Sequence, residues 1–115
     1  GPEPVRGHPT PGMQIWGWMS EPQLRWLHET AKGMESVVEV GSLRGRSAYA
    51  LATGCRGPVY CIDPFNDVGR HCLPAFMENV GYLPNVHPIE GYSPAARRTL
   101  KHYEADLWRR AQKVA

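Results

Sequence analysis

Two short β-branched runs, each followed by a turn and a helical segment, most constrain how this chain folds. Residues 37–40, Val-Val-Glu-Val, and residues 59–62, Val-Tyr-Cys-Ile, are apolar enough for strands covered on both faces of a sheet. Helices are predicted before, between and after them: one that opens at residues 20–23 and continues to Ala31, and two over residues 47–52 and 72–80. Because strands that alternate with helices pack as a parallel sheet with right-handed crossovers, the order predicts an α/β fold.

Cap and turn residues mark the remaining elements. Ser20 is a suitable N-cap for the first helix. Residues 86–89 predict a third strand, which Pro88 confines to an edge or an end of the sheet. Ser93 precedes a proline and opens a last, amphipathic helix that reaches the end of the sequence.

Length and composition favour a single domain. The chain has 115 residues, of which 42% are hydrophobic and 21% charged, as in globular proteins and unlike disordered ones. Residues 1–12 hold four prolines and three glycines and are predicted as a flexible arm, in which Gly1-Pro2 is the remnant of a cleaved tag. One domain is expected over residues 13–115.

Charge and cysteine content give no indication of a nucleic-acid or membrane partner, a disulfide framework or a metal site. A net charge of +2 from 13 basic and 11 acidic residues is too balanced to indicate nucleic acid or a membrane. The odd set of three cysteines lacks C-x-x-C spacing and no histidines have ligand spacing, so neither disulfides nor a metal are expected. Without a secretory leader, a cytoplasmic location is expected. The basic residues of the last helix are interpreted as a solvated face: Arg97, Arg98, Lys101, Arg109, Arg110 and Lys113.

The segment VVEVGSLRGRS, residues 37–47, carries the main functional signal. A strand runs into Gly41, a loop, Gly45 and a helix start, where backbone amides and the helix dipole favour an anion. Gly41 lets a ligand approach the backbone, and Gly45 lets the helix pack closely on the strand. The spacing matches neither the dinucleotide fingerprint nor a P-loop, and both glycines also suit ordinary strand-to-helix punctuation.

Two carboxylates narrow the class of ligand. Asp63 ends the second strand, where an acidic side chain accepts both hydroxyls of a ribose. Glu39 repels a pyrophosphate but attracts an ammonium, unless Arg44 or Arg46 is its structural partner. Together they indicate a ligand with an amino-acid head and a ribose, S-adenosylmethionine in preference to NAD or ATP.

These residues resemble motifs I and II of the class I S-adenosylmethionine-dependent methyltransferases. Residues 38–47 follow the E-x-G-x-x-x-G-x-S form of catechol-type O-methyltransferases and their bacterial and phage relatives, and residues 59–65 resemble motif II. The resemblance extends over roughly residues 15–105. It implies a Rossmann-like parallel sheet and methyl transfer from S-adenosylmethionine to a small-molecule acceptor, with S-adenosylhomocysteine as product.

The resemblance also implies a role for individual residues. The loop after Gly41 would line the methionine part, Ser47 would bond its carboxylate, and Asp63 the ribose. Phe65 would flank the adenine, and Trp18 would close over the sulfonium. The full implied cofactor set is Glu39, Gly41, Ser42, Leu43, Gly45, Ser47, Asp63, Pro64, Phe65, Ser93, Trp18 and Met19. Packing roles stay open for Trp18 and Phe65, and His71 is a candidate general base because imidazole titrates near neutral pH.

The sequence departs from the family after the third strand. The acidic fourth strand of the family has no counterpart here, so a minimal half-sheet of about three strands is expected, with the outer edge of its first strand exposed. A homodimer that pairs or swaps across this edge is predicted to complete the sheet and the active site. The alternatives are a non-catalytic S-adenosylmethionine- or S-adenosylhomocysteine-binding module, a truncated methyltransferase subunit, or a domain for another adenosine ligand such as NAD.

Overall fold

The computed structural model describes residues 6–66 and 72–91, in which three helices alternate with three strands. In chain order the elements are α1 (Glu21–Ala31), β1 (Val37–Val40), α2 (Arg46–Gly54), β2 (Val59–Asp63), α3 (Leu73–Val80) and β3 (Val86–Glu90). This order is the predicted one. The tag remnant Gly1-Pro2, the candidate base His71, and Ser93 with the last predicted helix lie outside the described residues.

The three strands form one parallel sheet in the order β1-β2-β3. The register places Val37 opposite Val59, and Val59 opposite Val86. All five residues of β2 are buried, as expected for a central strand. Within the described sheet β3 lies at an edge, where Pro88 costs no ladder hydrogen bond. The predicted α/β fold and the edge position of the Pro88 strand are therefore confirmed.

The outer strand β1 differs from its prediction, which was cover on both faces. Val38 is 43% exposed and Val40 is 61% exposed, whereas Val37 and Glu39 between them are half-buried. Val37 packs on the core cluster that includes Leu51 of α2. The prediction was wrong because a β-branched apolar run has the same composition whether one face or both faces are covered.

The helices start and pack for identifiable reasons. α1 begins at a capping box, in which the Ser20 hydroxyl accepts from the Gln23 N–H and the Gln23 side chain accepts from the Ser20 N–H. The buried core joins residues of the three helices to β2, among them Ala31, Leu51, Val59, Phe76 and Val80. No helix within residues 6–66 and 72–91 has the length and apolar character needed to cross a lipid bilayer.

Packing against α1 begins before Met13. Thr10 is only 2% exposed, and its hydroxyl donates to Glu21 Oε1 at 3.1 Å while accepting from Arg25 Nε at 3.0 Å. His8 accepts from the Thr10 N–H through Nδ1 at 3.0 Å, and its Nε2 lies 3.2 Å from Glu21 Oε2. The part of the predicted arm closest to the domain therefore lies against α1.

Candidate functional site

The candidate site lies where β1 ends and the chain turns into α2. Gly41 follows β1 with a φ of +85° and is exposed, and a Cβ atom there would meet no atom of the described residues within 4 Å. Its N–H donates to the Ile62 carbonyl at 2.8 Å, so the backbone stays paired with β2 as it leaves the sheet. Leu43, with a φ of +52°, and Gly45, with +99°, then complete the turn. Among the described residues, this geometry leaves the backbone at Gly41 exposed at the carboxyl end of β1.

The loop after Gly41 is tied to α3. A Cβ atom on Gly45 would lie 3.0 Å from both γ-carbons of Val80, so the close approach predicted for this glycine is to α3 and not to the strand. Asn79 of the same helix donates through Nδ2 to the Arg44 carbonyl at 2.9 Å. Asn79 was not predicted as a site residue, because a single asparagine on a helix carries no spacing signal.

Asp63 is brought to the loop, as its position at the end of β2 predicts, and each of its carboxylate oxygens accepts a backbone N–H. The side chain is 1% exposed. Its Oδ2 accepts from the Leu43 N–H at 3.0 Å, and its Oδ1 accepts from the Phe65 N–H at 2.9 Å. Asp63 therefore holds the two turns together, and a ribose would have to use the second lone pair of its oxygens.

Glu39 presents a buried carboxylate that is only half satisfied. Its Oε2 accepts from the Ser47 hydroxyl, whereas its Oε1 and the Ser42 Oγ are buried without a hydrogen-bond partner in the described part of the chain. Burial raises the pKa of Glu39 and outweighs the Ser47 and Ser42 hydroxyls, which favour the ionised form. The Ser42 hydroxyl is close enough to act on the charge without a bond of normal geometry. The partner of Glu39 is thus a serine, and not Arg44 or Arg46.

The first turn of α2 offers backbone donors beside this carboxylate. The first hydrogen bond of the helix runs from the Tyr49 N–H to the Gly45 carbonyl, so the N–H groups of residues 46–48 precede it. No acidic residue occupies the first turn. Since the Ser47 hydroxyl donates to Glu39, an anion at this helix end would be bound by backbone N–H groups.

Arg46, which the sequence left open as an alternative partner of Glu39, bonds main-chain carbonyls instead. Its side chain is buried, and its guanidinium donates to the carbonyls of Ile15 and Gly17 at 2.8 Å and of Met19 at 2.7 Å. A longer bond of 3.3 Å reaches the Met13 carbonyl. One feature of the sequence points to this role. A cation in the first turn of a helix is disfavoured by the helix dipole, so an arginine there indicates a compensating interaction elsewhere.

The aromatic residues of the predicted set have two different environments. Trp18 is 59% exposed and meets Trp16 edge to face, with ring centroids 5.9 Å apart, while the Arg44 guanidinium lies 4.9 Å from the centroid of Trp16. Phe65 is buried and its ring centroid is 4.9 Å from that of Phe76, in the core. Trp18 thus lies close to the loop, whereas Phe65 fills the packing role that the sequence left open.

Two further kinds of reactive group are of interest among the described residues: the Cys61 thiol and any set of metal ligands. Burial raises the pKa of Cys61 to about 12, so its thiol stays protonated near neutral pH. Among the residues described, no three His, Cys, Asp or Glu side chains are grouped to hold a metal ion.

Comparison with known proteins assigns no family to the chain. No family model matches the sequence, and no curated protein matches it.

Proposed function

We propose that this chain is a Rossmann-like domain that binds S-adenosylmethionine at the carboxyl ends of β1 and β2 and transfers its methyl group. One observation carries the proposal: among the residues that the structure describes, Glu39 Oε1 and Ser42 Oγ are buried without a hydrogen bond of normal geometry, next to the exposed Gly41. Buried polar atoms are almost always hydrogen-bonded, and an ammonium group has the donors that both atoms lack. The bound sulfonium would supply an activated methyl group to a small-molecule acceptor.

The charges around this point suit the two ends of an amino acid. The Glu39 carboxylate faces the end of β1, and the acid-free first turn of α2 presents the N–H groups of residues 46–48. An ammonium directed to Glu39 and a carboxylate directed to the helix start would each meet the opposite charge. A pyrophosphate would meet Glu39 with the same charge, which disfavours dinucleotides.

Two other members of the proposed set also hold the site together. Asp63 fixes the loop through the Leu43 N–H. Phe65 anchors the following turn in the core. Contact between the ribose and Asp63, and between the adenine and Pro64, stays part of the proposal.

Titration calorimetry with S-adenosylmethionine and S-adenosylhomocysteine tests binding. We expect Glu39→Gln to weaken both by about 1.5–3 kcal/mol, the usual value of a hydrogen bond to a charged group. Glu35→Gln is the matched control, because Glu35 is exposed and precedes β1. No heat with either compound, or equal affinity in Glu39→Gln and the wild-type chain, overturns the proposal. Binding of NAD in their place would favour a different adenosine ligand.

Turnover separates the enzyme from a binding module. Purified protein is incubated with S-adenosylmethionine and mixed small-molecule acceptors, and formation of S-adenosylhomocysteine is measured. Turnover supports the methyltransferase, whereas tight binding without turnover over many acceptors supports a non-catalytic module. We assign this activity to the cytoplasm, because the spacing of the three cysteines is not that of a disulfide framework.

We also propose that the working unit is a homodimer joined at β1. In the described sheet β1 is the outer strand, and Val38 and Val40 on it are exposed. Unpaired strand edges beside apolar side chains are covered in stable proteins, and a second copy of the chain offers the same edge. Because Gly41 directly follows β1, the partner would form a wall next to the proposed ligand.

A further inference from the structure

Arg46 is a buried cation whose partners are main-chain carbonyls. It is 7% exposed, and within residues 6–66 and 72–91 no carboxylate pairs with it. Burial lowers the pKa of its guanidinium, which nevertheless remains charged near neutral pH. Taking a charge out of water without a counterion is costly, so this arrangement calls for a role beyond filling space.

The backbone of residues 13–19, which we name the strap, is shaped around this side chain. Three of its carbonyls, those of Ile15, Gly17 and Met19, lie 2.7–2.8 Å from guanidinium nitrogens. At Gly17 a Cβ atom would lie 2.9 Å from the Cδ of Arg46, so the strap backbone touches the arginine stem directly. The strap is thereby fixed across the first turn of α2.

A second arginine connects the strap to the loop of the candidate site. Arg44 lies in the turn before α2 and places its guanidinium over the Trp16 ring. Trp16 in turn contacts the exposed Trp18. Arg46 therefore fixes the strap backbone, and the strap fixes the aromatic side chains against the loop that follows Gly41.

We infer that the Arg46 side chain positions the site for the proposed ligand: it holds the strap as a wall of the site and shapes the loop, while the guanidinium itself does not contact the ligand. The identity of the ligand rests on the proposed function. In this arrangement an ordered strap favours ligand binding, and a bound ligand favours the ordered strap. The two equilibria are linked, so each changes the equilibrium constant of the other by the same factor. The class of ligand is the same sulfonium nucleoside, and the strap is the surface that it would lie against.

Hydrogen exchange and ligand affinity, measured together, test this inference. In Arg46→Lys, which keeps the charge but loses the planar fork, we expect strap amides to exchange about tenfold faster while β2 amides are unchanged. Affinity for S-adenosylhomocysteine should fall by about tenfold, and further in Arg46→Met. A graded loss at a site that the Arg46 side chain does not touch is the signature of positioning.

The matched controls are Arg56→Lys and Arg56→Met, since Arg56 is exposed beyond the other end of α2. They should change neither exchange nor affinity. Unchanged strap exchange in Arg46→Lys overturns the inference, and so does faster strap exchange with unaltered affinity. Equal acceleration in the strap and in β2 also overturns it, because Arg46 would then serve overall stability. If the wild-type chain binds no S-adenosylhomocysteine, the proposed function fails; the ligand part of this inference falls with it, and exchange alone decides the strap part.

Discussion

Glu39 is the residue whose ionisation the fold controls most directly. Its carboxylate is enclosed at the end of β1, accepts one hydroxyl from Ser47, and leaves Oε1 without a partner among the described residues. Burial raises its pKa, and the nearby Asp63 charge adds to the rise. An unpaired buried carboxylate destabilises the folded chain when it is ionised. A bound cation would offset this cost, so such a carboxylate is typical of a binding site.

The raised pKa of Glu39 gives a stability prediction with a definite sign. The folded chain holds the proton more tightly than the unfolded chain, in which the pKa is near the ordinary value of 4.5. As the pH rises above that value, the unfolded chain ionises first and the free energy of unfolding falls, until the pH passes the folded pKa. Glu39→Gln lacks this loss and should become more stable relative to wild type over that interval.

Urea denaturation in steps from about pH 4 to about pH 8 measures this difference. Glu35→Gln, at an exposed carboxylate, should follow the wild-type curve throughout. A constant difference between Glu39→Gln and wild type over the whole range would show that the folded and unfolded pKa values of Glu39 are equal.

At the residue scale the sequence predicted which groups meet, and not what they bond. Asp63 and the loop after Gly41 do lie at one end of the sheet, because both follow parallel strands. Their partners were not predictable from spacing: a buried carboxylate bonds the nearest free donors, here the N–H groups of Leu43 and Phe65. The Ser47 hydroxyl likewise donates its proton to Glu39, although this proton was expected to bond the carboxylate of a ligand.

At the scale of elements, the junction between β1 and α2 depends on two glycines with different surroundings. Both Gly41 and Gly45 have positive φ. Alanine at either position should therefore lower the free energy of unfolding by about 1–2 kcal/mol, because a residue with a Cβ atom is strained in the left-handed region. Gly45→Ala should lower the free energy of unfolding by about 1 kcal/mol more, because its Cβ would lie 3.0 Å from the γ-carbons of Val80, whereas a Cβ on Gly41 would meet no atom of the described residues within 4 Å. Urea midpoints of the two variants measure the difference. Equal losses would mean that α3 yields at no cost.

Some elements of the fold could be predicted from local sequence and others could not. α1 was predictable because Ser20 and Gln23 satisfy the first N–H groups locally, whatever the rest of the chain does. The position of β3 was predictable because Pro88 lacks the N–H that a central strand needs. The exposed face of β1 was not predictable, since it depends on which distant elements pack on the sheet. The course of residues 13–19 was not predictable either, since it depends on the distant Arg46.

At the scale of the whole molecule, the outer edge of the described sheet carries two exposed valines, Val38 and Val40. The register aligns Val38 with Tyr60 and Val40 with Ile62. Tyr60, Ile62 and Ile89 form a second buried cluster, so the exposed valines extend an apolar face outward to β1. A second copy paired at this edge would continue both the hydrogen-bonded ladder and the apolar face, which is the physical basis of the proposed dimer.

A charge at this edge should separate the copies without unfolding them. Val40 is 61% exposed, so Val40→Lys alters no core contact, and lysine on an edge strand opposes pairing with another chain. We expect sedimentation equilibrium at micromolar concentration to give a dimer for wild type and a monomer of unchanged circular dichroism for Val40→Lys. Met77→Lys, on the 43% exposed Met77 of α3, should remain a dimer. A monomeric wild type, or a dimer that persists in Val40→Lys, would place the interface elsewhere and leave the wall beside Gly41 without its proposed source.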